Sequence, residues 1–187
     1  MSDDFKLWPE GFQRVVRLLA ERGHAHVPRW LDVPARTCAE AAQALGLQTG
    51  QIAKSVIFKR CADAVAVLVV VSGDRRVDEH KVAAHVGEIG RADADFVKLH
   101  TGFSIGGVAP LGHLRSPVVL IDRALFRFEA VWAAAGHPNG VFCLTPTDLV
   151  ALTGALVADI AVDIAADAPA ANPLAGLAKP LAVAVES

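Results

Sequence analysis

Ala64-Val-Ala-Val-Leu-Val-Val-Val-Ser72 is the stretch that decides the fold. It is apolar almost throughout, rich in β-branched residues, and does not alternate. That pattern predicts a central strand buried on both faces. Working backwards, Cys61-Ala-Asp63 is short enough for a hairpin turn, and residues 55–59 predict the strand before it. Working forwards, Gly73-Asp-Arg-Arg76 predicts a turn, and Pro117-Val-Val-Leu-Ile121 a second buried strand ending at Asp122. Residues 130–135 and 141–144 predict a strand pair around Gly136-His-Pro-Asn-Gly140, and residues 155–162 a last strand.

The helices are punctuated by their caps. Phe12, Val15, Val16 and Leu19 recur at i, i+3, i+4 and i+7, which predicts an amphipathic helix over 10–22 stopped by Gly23. Residues 24–31 read as extended. Thr37-Cys-Ala-Glu40 has the form of a capping box for an alanine-rich helix reaching Leu45, with Gly46 behind it. Its apolar residues are small, so it packs closely. Asp78 and Asp93 are N-cap candidates for helices to about residues 86 and 100. Thr145-Pro-Thr-Asp148 combines an N-cap, a proline at N1 and an acid at N3, with Gly154 as the stop. Helices and strands mix without strict βαβ alternation. The expected class is α/β of the α+β kind, a mixed, twisted sheet flanked by helices.

Composition bounds the rest. At 187 residues and 53% hydrophobic, with a net charge of −2, the chain is long and apolar enough for one folded domain and unlike a disordered chain. We expect that domain over residues 1–164 and an Ala/Pro-rich tail over 165–187, in which Leu181-Ala-Val-Ala-Val185 alternates as a strand does. The apolar run at 64–72 is about half the ~20 residues a membrane helix needs. Met1-Ser-Asp-Asp has no basic n-region, so no secretory signal is expected. Cys38, Cys61 and Cys143 are odd in number and widely spaced, which suits a reducing cytoplasm better than a disulfide framework. Of the 18 lysines and arginines, 17 lie in residues 1–127. That body is weakly basic, short of a duplex-DNA binder. Arg14, Arg17, Lys59, Arg60, Arg75, Arg76 and Lys81 are candidates for a local basic face.

No HExxH, GxxxxGK[ST] or GxSxG motif occurs. His24 and His26 have no accompanying carboxylate cluster, so no metal site is expected. Two features stand out. Lys54, in Gly50-Gln-Ile-Ala-Lys-Ser-Val-Ile-Phe-Lys59, sits just before an apolar strand. Such a lysine either snorkels to solvent or holds a fixed charge in a pocket. The loop Gly102-Phe-Ser-Ile-Gly-Gly-Val-Ala-Pro-Leu-Gly112 either presents amide N–H groups to an anion or is merely a tight turn.

These segments, with Gly73-Asp-Arg-Arg-Val-Asp78, Val-Leu-Ile-Asp122 and Ala-Gly-His137-Pro-Asn139, resemble the YbaK/prolyl-tRNA synthetase-associated domain family over about residues 10–163. The resemblance implies that family's fold and hydrolytic proofreading. Members cleave the ester joining a wrong amino acid to the 3′ end of tRNA, most often tRNA(Pro). It implies no metal or organic cofactor. It implies aminoacyl-tRNA as partner, with prolyl-tRNA synthetase or an elongation factor as possible protein partners, and neither DNA nor membrane. Carried over by position, Lys54 matches the critical lysine. Gly106 and Gly107 match the loop whose amides face the ester, and Pro110 closes that GxxxP motif. His137 and Asn139 border the aminoacyl pocket, and Asp122 matches a recurrent acid after a core strand. The resemblance leaves the amino acid open among Ala, Cys, Ser and Thr. Two other readings stay open: a non-catalytic tRNA-end-binding or aminoacyl-binding module of the same fold, and an unrelated small-molecule hydrolase using Cys or His.

Overall fold

The computed structural model describes residues 7–164. The expected tail over 165–187 and its strand at 181–185 lie outside the described residues. Strands run in the order β1 (Arg29–Trp30), β2 (Ile52–Arg60), β3 (Ala66–Ser72), β4 (Arg75–Val77) and β5 (Ile89–Arg91), then β6 (Val118–Asp122), β7 (Val131–Ala134), β8 (Gly140–Leu144), β9 (Leu156–Ala158) and β10 (Ala161–Asp163). Helices are α1 (Glu10–Glu21), α2 (Cys38–Leu45), α3 (Glu79–Val86), α4 (Ala94–Thr101) and α5 (Pro146–Thr153).

The apolar run is β3, buried at every position. It pairs antiparallel with β2 from Ala53↔Ser72 to Lys59↔Ala66 and parallel with β6. Strand alternation sends its side chains to two different cores. Leu68 and Val70 join Ala53, Ile57, Phe12, Phe103 and Leu149 under α1, α4 and α5. Val67, Val69 and Val71 join Phe58, Val82, Ile160 and Ala161 under α3, β4 and β10. This is why the run does not alternate in sequence. The main sheet has the order β1-β8-β7-β2-β3-β6-β9, with β5 pairing the far end of β2. It is mixed and carries helices on both faces, as expected.

The caps act locally. Thr37 and Thr145 form capping boxes, Asp78 and Asp93 accept amide hydrogens at their helix starts, and Gly46, Gly102 and Gly154 close helices in the left-handed region. Ala41 and Ala42 of α2 lie against Ile52 and Trp132, the close packing their size foretold.

Three expectations need correction. Lys54 lies within β2, which begins at Ile52 rather than after it. Residues 155–162 are not one strand. They form β9 on the edge of the main sheet and β10, which pairs β4 in a separate two-stranded ribbon. The extended segment at 24–31 reduces to the two-residue β1. Three-residue strands carry no periodicity, so β4 and β5 left no signal either.

The loop after α4 is held by a histidine. His113 Nε2 bonds the Ala109 carbonyl at 2.8 Å, and the ring meets Phe103 edge-on. Burial lowers its pKa from 6.5 to about 4. The unfolded chain therefore binds a proton here that the folded chain refuses. Stability from this site is complete above pH 6.5 and drains as the pH falls towards 4, by on the order of 3 kcal/mol. Thermal melts at pH 7.5 and 5 should show a smaller acid loss in His113→Gln than in wild type. Equal losses would locate the acid sensitivity elsewhere.

Candidate active site

β2 and β7 are parallel neighbours only at Ile52↔Trp132 and Ala53↔Ala133. Further on, β2 is taken up by β5 at Phe58–Arg60. Neither ladder reaches Ser55. The sheet therefore splits beside residues 54–57, and a cavity of about 450 Å³ opens in the split. That volume falls in the ordinary range for small-molecule sites, about 300–1,000 Å³.

Its walls come from segments far apart in the chain. Arg36, Thr37, Cys38 and Ala39 arrive at the N-terminus of α2, Lys54 and Ser55 from β2, Gly106 and Val108 from the glycine loop, Trp132 from β7, and His137 with Pro138 from the β7–β8 turn. Alanines 35, 41, 53, 133 and 134, with Ile52 and Val141, make up most of the remaining wall. Backbone bonds explain how the α2 start reaches the β7–β8 turn. Leu31 N donates to Asn139 O (2.7 Å), Ala35 N to Pro138 O (3.0 Å), and Asn139 Nδ2 to Leu31 O (2.8 Å).

Lys54 is half-buried and donates to the Arg75 carbonyl on β4 at 2.9 Å. It also lines an adjoining groove with Phe58, Arg76 and His80. The carbonyl orients the ammonium without neutralising it, so the site keeps a directed positive charge.

Ser104 to Gly107 is a β-turn, with the Gly107 N–H donating to Ser104 O at 3.0 Å. Gly106 at φ +91° occupies the turn position that demands a positive φ, and a side chain there would point into open space. Gly107 lies against the His137 backbone, where a Cβ would fall 2.7 Å from the carbonyl carbon. The Gly107 amide is thus consumed by the turn. Those of Gly106 and Val108 have no acceptor among the described residues.

His137 Nδ1 accepts the Asn139 N–H at 3.1 Å, and the ring stacks on Trp30 at 4.8 Å. Burial holds its pKa below the usual value, so the ring is neutral at pH 7 with its proton on Nε2. Cys38 sits at the first position of α2, against Gly73. Burial pushes its thiol up, and Lys54 offsets this only in part. A protonated thiol is a poor nucleophile, which weighs against cysteine chemistry here. The Ser55 hydroxyl is buried at the cavity with no partner among the described residues.

Of the residues expected at a site, the structure brings Lys54, Gly106 and His137 to this cavity, with Gly107 directly behind. Asn139 does not line it and instead ties down residue 31. Pro110 lines a different cavity, on the α1 side of the loop. Asp122 is wholly buried and away from the cavity, paired with Arg75 at 3.0 Å. Arg75 also donates to Ala161 O. Sequence reasoning missed Arg36, Cys38, Ser55, Val108 and Trp132. Only the Thr37 capping box hinted that a helix start was involved. Of the seven basic residues singled out, only Arg76 shares a groove with Lys54. Arg60 and Lys81 are paired with Asp63 and Asp159. Among the described residues no three His, Cys, Asp or Glu side chains gather as a metal site requires, and no helix is long and apolar enough to cross a membrane.

Comparison with known proteins identifies the family. Residues 32–152 match the family described as the aminoacyl-tRNA editing domain. The Bacillus subtilis protein YwhH, itself uncharacterized, is 35% identical over 119 residues, covering 63% of this chain and 75% of its own. The proline–tRNA ligase of Limosilactobacillus fermentum is 32% identical over 96 residues, 49% of this chain but 17% of the ligase. A solved structure described as a candidate trans-editing enzyme for prolyl tRNA synthetase is 40% identical, with TM-score 0.76, over 82% of this chain and 98% of that one. The chain belongs to the aminoacyl-tRNA editing domain family and has its fold.

Proposed function

We propose that this member of the editing family is a trans-acting hydrolase that deacylates mischarged aminoacyl-tRNA, its substrate being tRNA(Pro) carrying Ala, Cys, Ser or Thr. The reading rests chiefly on one observation: a single cavity is lined by Lys54 and by Gly106 and Val108, whose amides lack acceptors among the described residues. The match of part of this chain to proline–tRNA ligases supports tRNA(Pro) as the tRNA. The protein would act in the cytoplasm on the 3′ acceptor end.

In this mechanism water adds to the ester carbonyl carbon, and the carbonyl oxygen becomes a tetrahedral oxyanion. The Gly106 and Val108 amides, rather than Gly107, supply the donors. The intermediate collapses, the bond from carbon to the ribose 3′ oxygen breaks, and that oxygen takes up the proton the water gave. Lys54 holds the terminal adenosine or its phosphate. His137 is neutral, and its Nδ1 is already accepting the Asn139 N–H. The neighbouring hydroxyl of the substrate ribose therefore positions the water and relays its proton. The amino acid is selected by size. The Ala53, Ala133 and Ala134 wall leaves room for the aminoacyl group beside Ile52, Trp132 and Val141, and the fit of each side chain to that wall sets which ester is cleaved.

Deacylation of tRNA(Pro) charged in turn with Ala, Cys, Ser, Thr and Pro tests this. We expect selective hydrolysis of one non-proline ester. Hydrolysis of none of them, or of the proline ester as fast as the rest, overturns the assignment to tRNA(Pro).

A further inference from the structure

The glycine loop has a second side. Behind it lies a cavity of about 650 Å³ between the loop exit at Pro110–His113, the end of α5 and the outer face of α1. Arg14, Arg17 and Arg22 line it, opposed within the cavity only by Glu21. Glu10 stands 3.8 Å from Arg14 at the other end of the helix. Arg14 and Arg17 stand on α1 and Arg22 is its C-cap, so the three span about 12 Å along the helix.

The helix starts beside the turn that carries His137 and runs along this surface. At its N-terminal end Gly11 is pressed against Gly136, the residue before His137, so closely that a Cβ would lie 2.5 Å from the Gly136 oxygen. Arg14, Arg17 and Arg22 then lead away from that junction. The first of them is fixed in place. Arg14 donates to Thr101 O at 3.0 Å and lies over the Phe103 ring, 4.6 Å from its centroid. Its Nε is buried without a partner among the described residues. Lys98 is tied to the adjacent Gly102 carbonyl at 3.1 Å, which adds a further cation beside Arg14.

We propose that this face of α1 binds the phosphate backbone of the RNA whose 3′ end enters the active-site cavity. The inference rests on the editing reading for the identity of the RNA. The chemistry asks for anions in series. Cations at successive steps along a rigid rod match phosphates at successive steps along a strand, and an ordered guanidinium loses little freedom on binding. The groove on the other side of Lys54 is the competing route. It sets Arg76 and His80 beside Asp78 and Glu79, so its net field is weak.

The test uses the double variant Arg17→Glu/Arg22→Glu, which spares Arg14 and its packing. Arg76→Glu marks the competing groove. Each protein is titrated with uncharged tRNA(Pro) by fluorescence anisotropy across a range of salt. Each is also assayed on charged tRNA and on the same amino acid esterified to a short CCA oligonucleotide. We expect the double variant to bind tRNA about tenfold more weakly, with a salt slope shallower by about one to two. Its KM for charged tRNA should rise while hydrolysis of the short ester stays within twofold of wild type. The proposal fails if wild type does not bind tRNA, if the double variant binds as wild type does, if both substrates suffer alike, or if Arg76→Glu carries the loss. Failure of wild type to cleave either ester counts against the editing reading instead, and the anisotropy arm still decides the surface.

Discussion

Lys54→Ala is expected to lower deacylation at sub-saturating tRNA about 10–100-fold, the cost of removing the charged group that holds the terminal adenosine or its phosphate. The same change should reduce stability by no more than about 1 kcal/mol, because the only bond lost is the one to the Arg75 carbonyl. That separation is the signature of a residue kept for charge rather than packing. Lys54→Met is the sharper comparison. It preserves the aliphatic stem against β2 and β4 and removes only the ammonium, so its activity should match that of the alanine variant. Single-turnover deacylation alongside urea unfolding checks both statements. Near-wild-type cleavage by either variant would leave the mechanism without its anchor.

Asp122→Ala is expected to cost about 3 kcal/mol of stability, the range for breaking one half of a buried ion pair. The Asp122 carboxylate has no solvent exposure, and Arg75 stays mostly buried. The remaining anionic partner of Arg75, Asp163, is almost fully exposed and contributes little. The loss should reach the active site, because the backbone carbonyl of Arg75 is what orients Lys54. Asp122→Ala should therefore also slow cleavage, although it touches no substrate. Replacing both partners, as Asp122→Leu with Arg75→Met, should recover much of the stability by removing the stranded charge. Urea denaturation measures both variants and single-turnover deacylation the cleavage, and a single-variant loss below about 1 kcal/mol would show that the pair is not needed.

The sequence was most legible where structure is local. Thr37, Asp78, Asp93 and Thr145 mark helix starts because a cap is a contact between residues two or three apart. The Gly46, Gly102 and Gly154 stops are legible for the same reason. The run at 64–72 was readable because burial on both faces suppresses alternation. β4, β9 and β10 were not, since pairings such as Ala161↔Val77 are made across much of the chain by segments too short to show a period. The site divides the same way. Lys54 and Gly106 belong to contiguous motifs. Cys38, Ser55 and Trp132 share a cavity because the start of α2 meets the parallel ends of β2 and β7, and no spacing in the chain encodes that meeting. The GxxxP motif also misled on one point. It joins Gly106 and Pro110 as a unit, but the chain between them crosses from one cavity to the other.

The ribbon of β4 and β10 ties the Lys54 cavity to the order of synthesis. β4 has β10 as its ladder partner, and the guanidinium of Arg75 is held by the Ala161 carbonyl and by Asp163. A ribosome delivers β4 long before β10. Until about residue 163 has emerged, a growing chain carries its lysine, its glycine loop and its alanine walls without the clasp that aims the lysine.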